Sequence, residues 1–135
     1  MSAVPSSTPC VLVVDDEPDA REMLGELVEM AGCSALLAAN GVEALTLLDD
    51  HRPCLIILDL MMPLMTGGEV VEILRSRPDL ASLPVLISTS SPNRAPPGLP
   101  VLAKPIDIDA LWDFMRKTCA CASGSPADAA SKSLR

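Results

Sequence analysis

The stretch LIILDLMMPLMTGGEV, residues 55–70, runs four apolar residues into Asp59 and then breaks into a loop rich in methionine, proline and glycine. A short continuous apolar run bounded by turn residues is typical of a strand that is buried on both faces. A carboxylate at the end of such a strand is costly to bury, unless a site uses its charge. The stretch therefore predicts a buried strand that carries Asp59 to a functional site.

The rest of the chain repeats a unit made of a short apolar run and a stretch with apolar residues three and four apart. In the first unit CVLVVD is a strand, Pro18 suits the first turn of the following helix, and Gly32 ends that helix. Further strands are predicted over SALLAA, CLIILD, PVLIST and LPVLAK, and further helices over NGVEALTLLDD, GGEVVEILRSR and DIDALWDFMRKTCA, with Asp107 as the N-cap of the last. Such alternation predicts an α/β fold with a parallel sheet covered by helices on both faces.

Chemically active side chains follow four of the five predicted strands, and parallel sheets place their binding sites at this carboxyl edge. These side chains are Asp15, Asp16, Asp59, Thr89 and Lys104. A single acid there could simply cap the next helix, but three carboxylates in one crevice repel one another unless a cation lies among them. Oxygen ligands without a useful histidine or cysteine favour Mg²⁺, while a hydroxyl and an ammonium group suit a phosphoryl group. Asp59 is then placed to act as a nucleophile.

Four motifs in this order resemble the receiver domain of two-component response regulators, over about residues 9–120. The motifs are VLVVDDEP, LIILDLMMPLMTG, PVLISTS and AKP. The resemblance implies a doubly wound, five-stranded parallel sheet of the flavodoxin-like type. It also implies a domain that promotes its own phosphorylation and dephosphorylation rather than an enzyme with a separate substrate.

The resemblance assigns a role to each site residue. Asp59 is the expected phosphoacceptor, which takes a phosphoryl group from a phosphohistidine, and Thr89 and Lys104 bind the phosphoryl oxygens. Mg²⁺ is expected to be held by Asp16, Asp59 and the backbone carbonyl of Met61, and by Asp15 mainly through water. The resemblance further implies that Gly67 lets the loop turn into the third helix, and that the Lys104–Pro105 bond can be cis.

Three positions depart from the usual receiver pattern or tune it. Val101 stands where an aromatic side chain commonly changes rotamer on activation, so that switch is expected to be absent. Met61 and Ser91 occupy the positions that shape the access of water to the phosphorylated aspartate. Their side chains indicate a tuned phosphoryl lifetime without fixing its direction.

The segment SSPNRAPPGLP between Thr89 and Lys104 contains four prolines, and proline inside a helix costs about 3 kcal/mol. The fourth helix of the receiver pattern is therefore predicted to be absent, with residues 90–99 forming an irregular loop. Leu99, Pro96 and Pro97 are expected to roof the exposed sheet. Trp112 is expected either to edge that roof or simply to pack in the core.

The net charge of −8 argues against binding of nucleic acid, and no apolar run is long enough to span a membrane. A cytoplasmic protein is therefore expected. The five cysteines, at positions 10, 33, 54, 119 and 121, form no CxxC pair and are interpreted as small apolar side chains in a reducing compartment. The CAC pair near the end of the chain is expected to be able to oxidise in a purified sample, without a functional role.

Residues 1–8 are predicted to be a flexible segment, residues 9–121 the receiver domain, and residues 122–135 a disordered tail. That tail is shorter than an independently folding output domain, so the domain is expected to act through protein contacts. The expected partner is a histidine kinase or a histidine phosphotransfer protein, and a monomer is favoured over a dimer.

Two other functions remain open on the sequence alone. A phosphatase of the haloacid-dehalogenase type also uses an aspartyl nucleophile, after a first strand, and needs a second acid two residues later. Glu17 stands two residues after Asp15 and Met61 two residues after Asp59, and this mismatch with the motif argues against the phosphatase. A pseudo-receiver would keep the fold as a protein-binding module without phosphorylation. Phosphorylation competence and Mg²⁺ binding discriminate among these functions.

Overall fold

The computed structural model describes residues 10–119 and residue 122. The strands are β1 Cys10–Val14, β2 Ser34–Ala38, β3 Leu55–Asp59, β4 Val85–Thr89 and β5 Val101–Ala103. The helices are α1 Pro18–Met30, α2 Gly41–Leu48, α3 Gly67–Ser76 and α4 Ile108–Thr118. No helix within the described residues is both long and apolar enough to cross a membrane.

The five strands form one parallel sheet in the order β2-β1-β3-β4-β5, which confirms the predicted doubly wound α/β architecture. The three central strands are buried along their whole length, as their continuous apolar sequences predict. Val14 pairs with Leu58, and Asp59 pairs with Ser88. This register brings the ends of the central strands, and the acids that follow them, to one edge of the sheet.

Helices cover both faces of the sheet and create two apolar layers. The first layer lies under α2 and α3 and includes Leu12, Leu48, Ile56, Leu58, Val70, Leu74 and Ile87. The second lies under α1 and α4 and includes Val11, Val13, Leu24, Val28, Ile57, Leu111 and Met115. Trp112 belongs to the second layer, and its indole N–H donates a hydrogen bond of 2.9 Å to the Leu27 carbonyl. The expectation that Trp112 edges the β4–β5 segment is therefore wrong, and the core-packing alternative is confirmed.

The helices begin where the sequence places helix-starting signals. Pro18 opens α1, and the Asp107 carboxylate accepts a hydrogen bond of 3.2 Å from the Ala110 N–H at the start of α4. Thr66 and Glu69 form a reciprocal capping box at the start of α3. These local bonds satisfy amide groups that a helix end would otherwise leave unpaired.

The segment between β4 and β5 corrects the prediction for this region. The structure has four α-helices among the described residues, the fourth being α4, so the predicted absence of a fourth helix is not supported. Residues 90–99 are also not wholly irregular, because Pro92–Arg94 forms a short 3₁₀-helix with the Ala95 N–H bonded to the Pro92 carbonyl at 3.1 Å. The proline penalty does not apply to the first position of such a turn, where no N–H is needed.

This segment itself covers the sheet beside α3. Ala95 and Leu99 pack against the first apolar layer, as expected for Leu99. The cover is incomplete, since a cavity of ≈130 Å³ remains between the end of α3, the loop before β4 and Leu99. Val101 on the edge strand β5 is 37% exposed, because no further strand covers this edge among the described residues.

The cysteines differ from their sequence interpretation. Cys54 and Cys119 form a disulfide, and Cys33 is also disulfide-bonded. Cys10 is buried as a free thiol, and burial raises its pKa. Only Cys10 among these residues therefore acts as the simple apolar side chain that the spacing suggested. The spacing cannot reveal the pairs, because the fold brings together residues 65 positions apart.

The predicted flanking segments 1–8 and 123–135 lie outside the described residues, as does Cys121. Ala122, assigned to the tail by the sequence prediction, is buried at 8% exposure and packs against the second apolar layer.

Candidate functional site

Three carboxylates meet at the carboxyl edge of the sheet. Asp15, Asp16 and Asp59 each offer one oxygen, and these oxygens lie within 4.8 Å of one another. Asp15 and Asp59 are 1% and 6% exposed, whereas Asp16 is exposed. The cluster combines two desolvated acids with one acid that faces solvent.

Backbone pairing fixes the position of Asp15. Its N–H continues the β1–β2 ladder with a hydrogen bond of 3.1 Å to the Ala38 carbonyl. Its carboxylate accepts a hydrogen bond of 2.9 Å from the Glu17 N–H, and the Arg21 guanidinium donates to its carbonyl at 2.9 Å. Asp15 is thus held by the end of β2 on one side, and by Glu17 and the first turn of α1 on the other.

Lys104 supplies the positive charge of the site. Its Nζ lies 3.0 Å from Asp15 Oδ2 and 3.7 Å from Asp59 Oδ1. Its N–H donates to the Thr89 carbonyl at 2.9 Å, and the following Lys104–Pro105 bond is cis, as the resemblance allowed. The lysine, which follows β5, therefore bridges the two buried carboxylates at the ends of β1 and β3.

The charges of the site shift the pKa values of its members. Burial, followed by the negative charge of Asp15, raises the pKa of Asp59 to about 6, although Lys104 acts in the opposite direction. A hydrogen bond with Asp16 raises the pKa of Asp59 further. Burial alone would lower the pKa of Lys104, but the Asp15 hydrogen bond and the charge of Asp59 together raise it. The lysine thus remains protonated while Asp59 is an unusually weak acid.

Thr89 is fully buried at the end of β4. Its Oγ1 accepts a hydrogen bond of 3.0 Å from the Ser91 N–H, which leaves the hydroxyl proton free to be donated. Among the hydrogen bonds of the described residues, none joins this side chain to a carboxylate. The structure thus places Thr89 at the expected edge without a direct bond to the acids.

The loop after Asp59 is shaped by a close approach of α3. A Cβ on Gly67 would lie 2.6 Å from the Asp59 carbonyl oxygen, and the Gly67 N–H donates to the Leu60 carbonyl at 2.9 Å. A glycine is therefore required at position 67 because α3 starts in direct contact with the end of β3. The sequence predicted only that Gly67 would let the loop turn into the helix. Leu64 in this loop has a positive φ of 70°. The Met61 N–H lies 3.4 Å from Asp59 Oδ1, and its side chain is 53% exposed.

The donor set fits a hard divalent cation. The three acids provide oxygen ligands only. Burial and then the negative charge of Asp15 raise the pKa of Asp59, although Lys104 lies in contact with both acids. Mg²⁺ prefers such carboxylates and keeps several waters. The residues present therefore suit the ion that the sequence suggested.

Sequence reasoning missed the supports of Asp15. The Glu17 N–H and the Arg21 guanidinium orient this acid, and these two hydrogen bonds become visible only in the three-dimensional structure. The spacing of Arg21, six residues after Asp15 on the first turn of α1, was the available signal.

A doubly wound parallel sheet with converging carboxylates and a lysine at its carboxyl edge defines a recognisable class of α/β domain. The chain belongs to the response regulator receiver domain family of two-component signalling, whose model matches residues 11–116.

Comparison with individual proteins agrees with this family. The chain is 39% identical over 111 residues to the response regulator MprA of Mycobacterium sp. (strain KMS), covering 78% of this chain and 48% of that protein. The chain thus spans about half the length of the MprA relatives that it matches.

Solved structures show the same fold. The chemotaxis protein CheY4 of Vibrio cholerae is 30% identical, with a TM-score of 0.73 over 83% of this chain and 99% of that chain. The response regulator TrrA of Thermotoga maritima is also 30% identical, with a TM-score of 0.73 over 82% of this chain and 99% of that chain. The TrrA structure was solved in complex with Mg²⁺-BeF.

Proposed function

We propose that this domain accepts a phosphoryl group from a phosphohistidine onto Asp59. The observation that carries the proposal is the contact of a buried Asp59 with the cluster of Asp15 and Asp16 and with Lys104 at 3.7 Å. This arrangement combines a nucleophile, oxygen ligands for a cation and a positive charge for phosphoryl oxygens. Membership of the receiver family supports it.

The chemistry requires the ionised form of Asp59. With a pKa of about 6, this carboxylate is mostly ionised at pH 7 and above. One of its oxygens attacks the phosphorus in line, the phosphorus–nitrogen bond breaks, and the electron pair returns to the histidine nitrogen. The product is an acyl phosphate on Asp59 and a free histidine on the partner.

Lys104 and Thr89 have separate roles in this proposal. Lys104 Nζ contacts both buried carboxylates. After the Asp59 carboxylate has formed the acyl phosphate, Lys104 Nζ binds a phosphoryl oxygen instead. The Thr89 hydroxyl retains a proton to donate to another phosphoryl oxygen, and this donation couples phosphorylation to movement of the segment after β4.

Asp15, Asp16, Asp59 and the backbone carbonyl of Met61 are the proposed ligands of Mg²⁺. When bound, the ion supplies positive charge that neutralises the phosphoryl oxygens. Asp16 is the proposed direct ligand because it faces solvent, whereas Asp15 is already occupied by Lys104 at 3.0 Å and acts mainly through water.

The proposed partner is a histidine kinase or a histidine phosphotransfer protein, in the cytoplasm. Family membership supports this partner class. We also propose that the domain acts without contacting nucleic acid, because its net charge is −8. We further propose that it acts as a monomer rather than a dimer, on the basis of the sequence pattern.

The test is intact-mass measurement after incubation with a small acyl-phosphate donor and Mg²⁺. The wild type should gain the mass of one phosphoryl group, Asp59→Asn should gain none, and chelation of the metal should prevent labelling. The matched control is Asp109→Asn, which removes an exposed acid in the first turn of α4 and should be labelled as the wild type is.

Two results would overturn the proposal. Labelling of Asp59→Asn would show that the nucleophile is assigned wrongly. A folded wild type that binds Mg²⁺ but takes no phosphoryl group from the donor or from a phosphorylated histidine domain would favour the pseudo-receiver alternative.

A further inference from the structure

Four cysteines gather at the amino edge of the sheet, opposite the acidic site. Cys10 begins β1, Cys33 precedes β2, Cys54 precedes β3, and Cys119 follows α4, which runs back towards this edge. The Cys54 N–H donates to the Cys10 carbonyl at 2.8 Å.

Cys54 and Cys119 are positioned for a covalent bond by the elements that carry them. Their Cα atoms lie 5.5 Å apart, within the range of about 4.4–6.8 Å that disulfides require. Cys54 is anchored by the sheet, and Cys119 by the hydrogen bond of 2.7 Å from its N–H to the Met115 carbonyl. The pair closes a sequence separation of 65, so only the folded domain brings it together.

We propose that Cys54 and Cys119 form a thiol–disulfide exchange site for small-molecule thiols and disulfides, whose state decides whether the end of α4 is tied to β3. Cys54 is half-buried, whereas Cys119 is only 3% exposed. An incoming thiolate therefore reaches the Cys54 sulfur first. This proposal does not depend on the proposed phosphoryl chemistry.

The exchange is balanced by two small-molecule thiols. The first thiolate attacks Cys54 Sγ, the Sγ–Sγ bond breaks, and its electron pair stays on Cys119 Sγ, which takes a proton. A second thiolate attacks the small-molecule sulfur of the mixed disulfide, and Cys54 leaves as a thiolate that takes a proton. Two thiols become one small disulfide, and the protein gains two electrons and two protons.

The expected consequence is local to the end of α4. Leu111 and Met115 are fully buried, and Trp112 bonds to the Leu27 carbonyl at 2.9 Å. These contacts keep the helix docked after reduction, while the residues beyond Met115 lose their covalent tie to the sheet.

The first test compares thermal unfolding of the wild type and Cys119→Ala in buffers poised by a small thiol or by its disulfide. The loss of the side chain changes the stability of the variant equally in both buffers. The change, between buffers, of the difference in unfolding temperature between the two proteins therefore measures the effect of the disulfide bond. In oxidising buffer the unfolding temperature of the wild type should be about 8 °C or more above that of the variant. In reducing buffer this difference should become small. Cys10→Ala is the matched control, since it removes a buried free thiol and should leave the redox response of the wild type intact.

The second test needs no variant. Peptide mapping of the oxidised wild type should yield a cross-linked peptide containing Cys54 and Cys119 that disappears on reduction, and amide exchange over residues 116–119 should be faster in the reduced protein. Lack of that peptide, an equal unfolding gap in both buffers, or a reduced protein that holds Zn²⁺ through these thiolates would overturn the proposal.

Discussion

The carboxyl edge of the sheet gathers three carboxylates around one lysine, whereas the amino edge gathers paired opposite charges and cysteines. Asp59 has a pKa raised to about 6 by burial and by Asp15. At the amino edge, Asp79 lies 3.0 Å from Arg52 and 3.6 Å from Arg77. The difference indicates that the domain keeps unfavourable electrostatics at the edge where a cation would relieve them, and keeps stabilising ion pairs at the other edge.

The largest expected effect tests how tightly the carboxyl edge is built. Gly67→Ala should lower the free energy of unfolding by about 3 kcal/mol, because the new Cβ would lie 2.6 Å from the Asp59 carbonyl oxygen. Gly68→Ala is the control, as its Cβ would meet only Thr66 Oγ1 at 3.8 Å and should be neutral or slightly stabilising. Urea unfolding measures both, and equal effects of the two variants would contradict the close approach.

The second prediction tests the stored repulsion. Asp59→Asn should raise the free energy of unfolding by about 2 kcal/mol at pH 7.5 without metal. The substitution removes the charge of a buried carboxyl group whose pKa lies above the ordinary value of 3.8. The folded protein holds the Asp59 proton more tightly than the unfolded chain. Wild-type stability therefore falls as pH rises from about 4 to about 6, and the penalty is complete above that range.

The gain from Asp59→Asn should accordingly shrink at pH 4.5, and added Mg²⁺ should narrow it at pH 7.5. Urea unfolding of both proteins under the three conditions gives the answer. A variant less stable than the wild type at pH 7.5 would mean that Lys104 more than compensates the buried charge.

The third prediction separates the two acids after β1. Asp16→Asn should weaken Mg²⁺ binding about tenfold, or about 1.4 kcal/mol, and more than Asp15→Asn does, since the exposed Asp16 is the proposed direct ligand. Calorimetric titration with Mg²⁺ measures both affinities. The reverse order would move the direct contact to Asp15.

The smallest expected effect belongs to the amino edge. Asp79→Asn should cost about 0.5 kcal/mol, because its ion pairs with Arg52 and Arg77 are partly exposed to solvent. The loss should fade at high salt, whereas the gain from Asp59→Asn should be less sensitive because that charge is buried. Urea unfolding at low and high salt checks this, and a salt-independent loss would indicate a packing role for Asp79.

Much of the fold followed from local patterns. The apolar runs predicted all five strands, and Pro18 and Asp107 marked helix starts, because strand burial and helix capping depend on residues close in sequence. The same patterns failed at residues 90–99, where proline content argued against a helix but left open the short turn at Pro92–Arg94. Proline excludes a helix interior, and it does not exclude a helix start.

The sequence by itself determined the order of βα units and the delivery of Asp15, Asp16 and Asp59 to one edge, since parallel strands share their direction. Only the tertiary structure decided the electrostatic state of that edge, because the pKa of Asp59 depends on burial and on how near the other charges lie.

Contacts between distant residues were likewise settled by packing alone. The layer that receives Trp112 and the pairing of Cys54 with Cys119 join segments far apart in the chain. The steric need for Gly67 depends on how closely α3 starts against the end of β3. A sequence pattern records the period of one element and the residues at its ends. The distance between two elements is set by the packing of all the side chains between them, and no local spacing contains it.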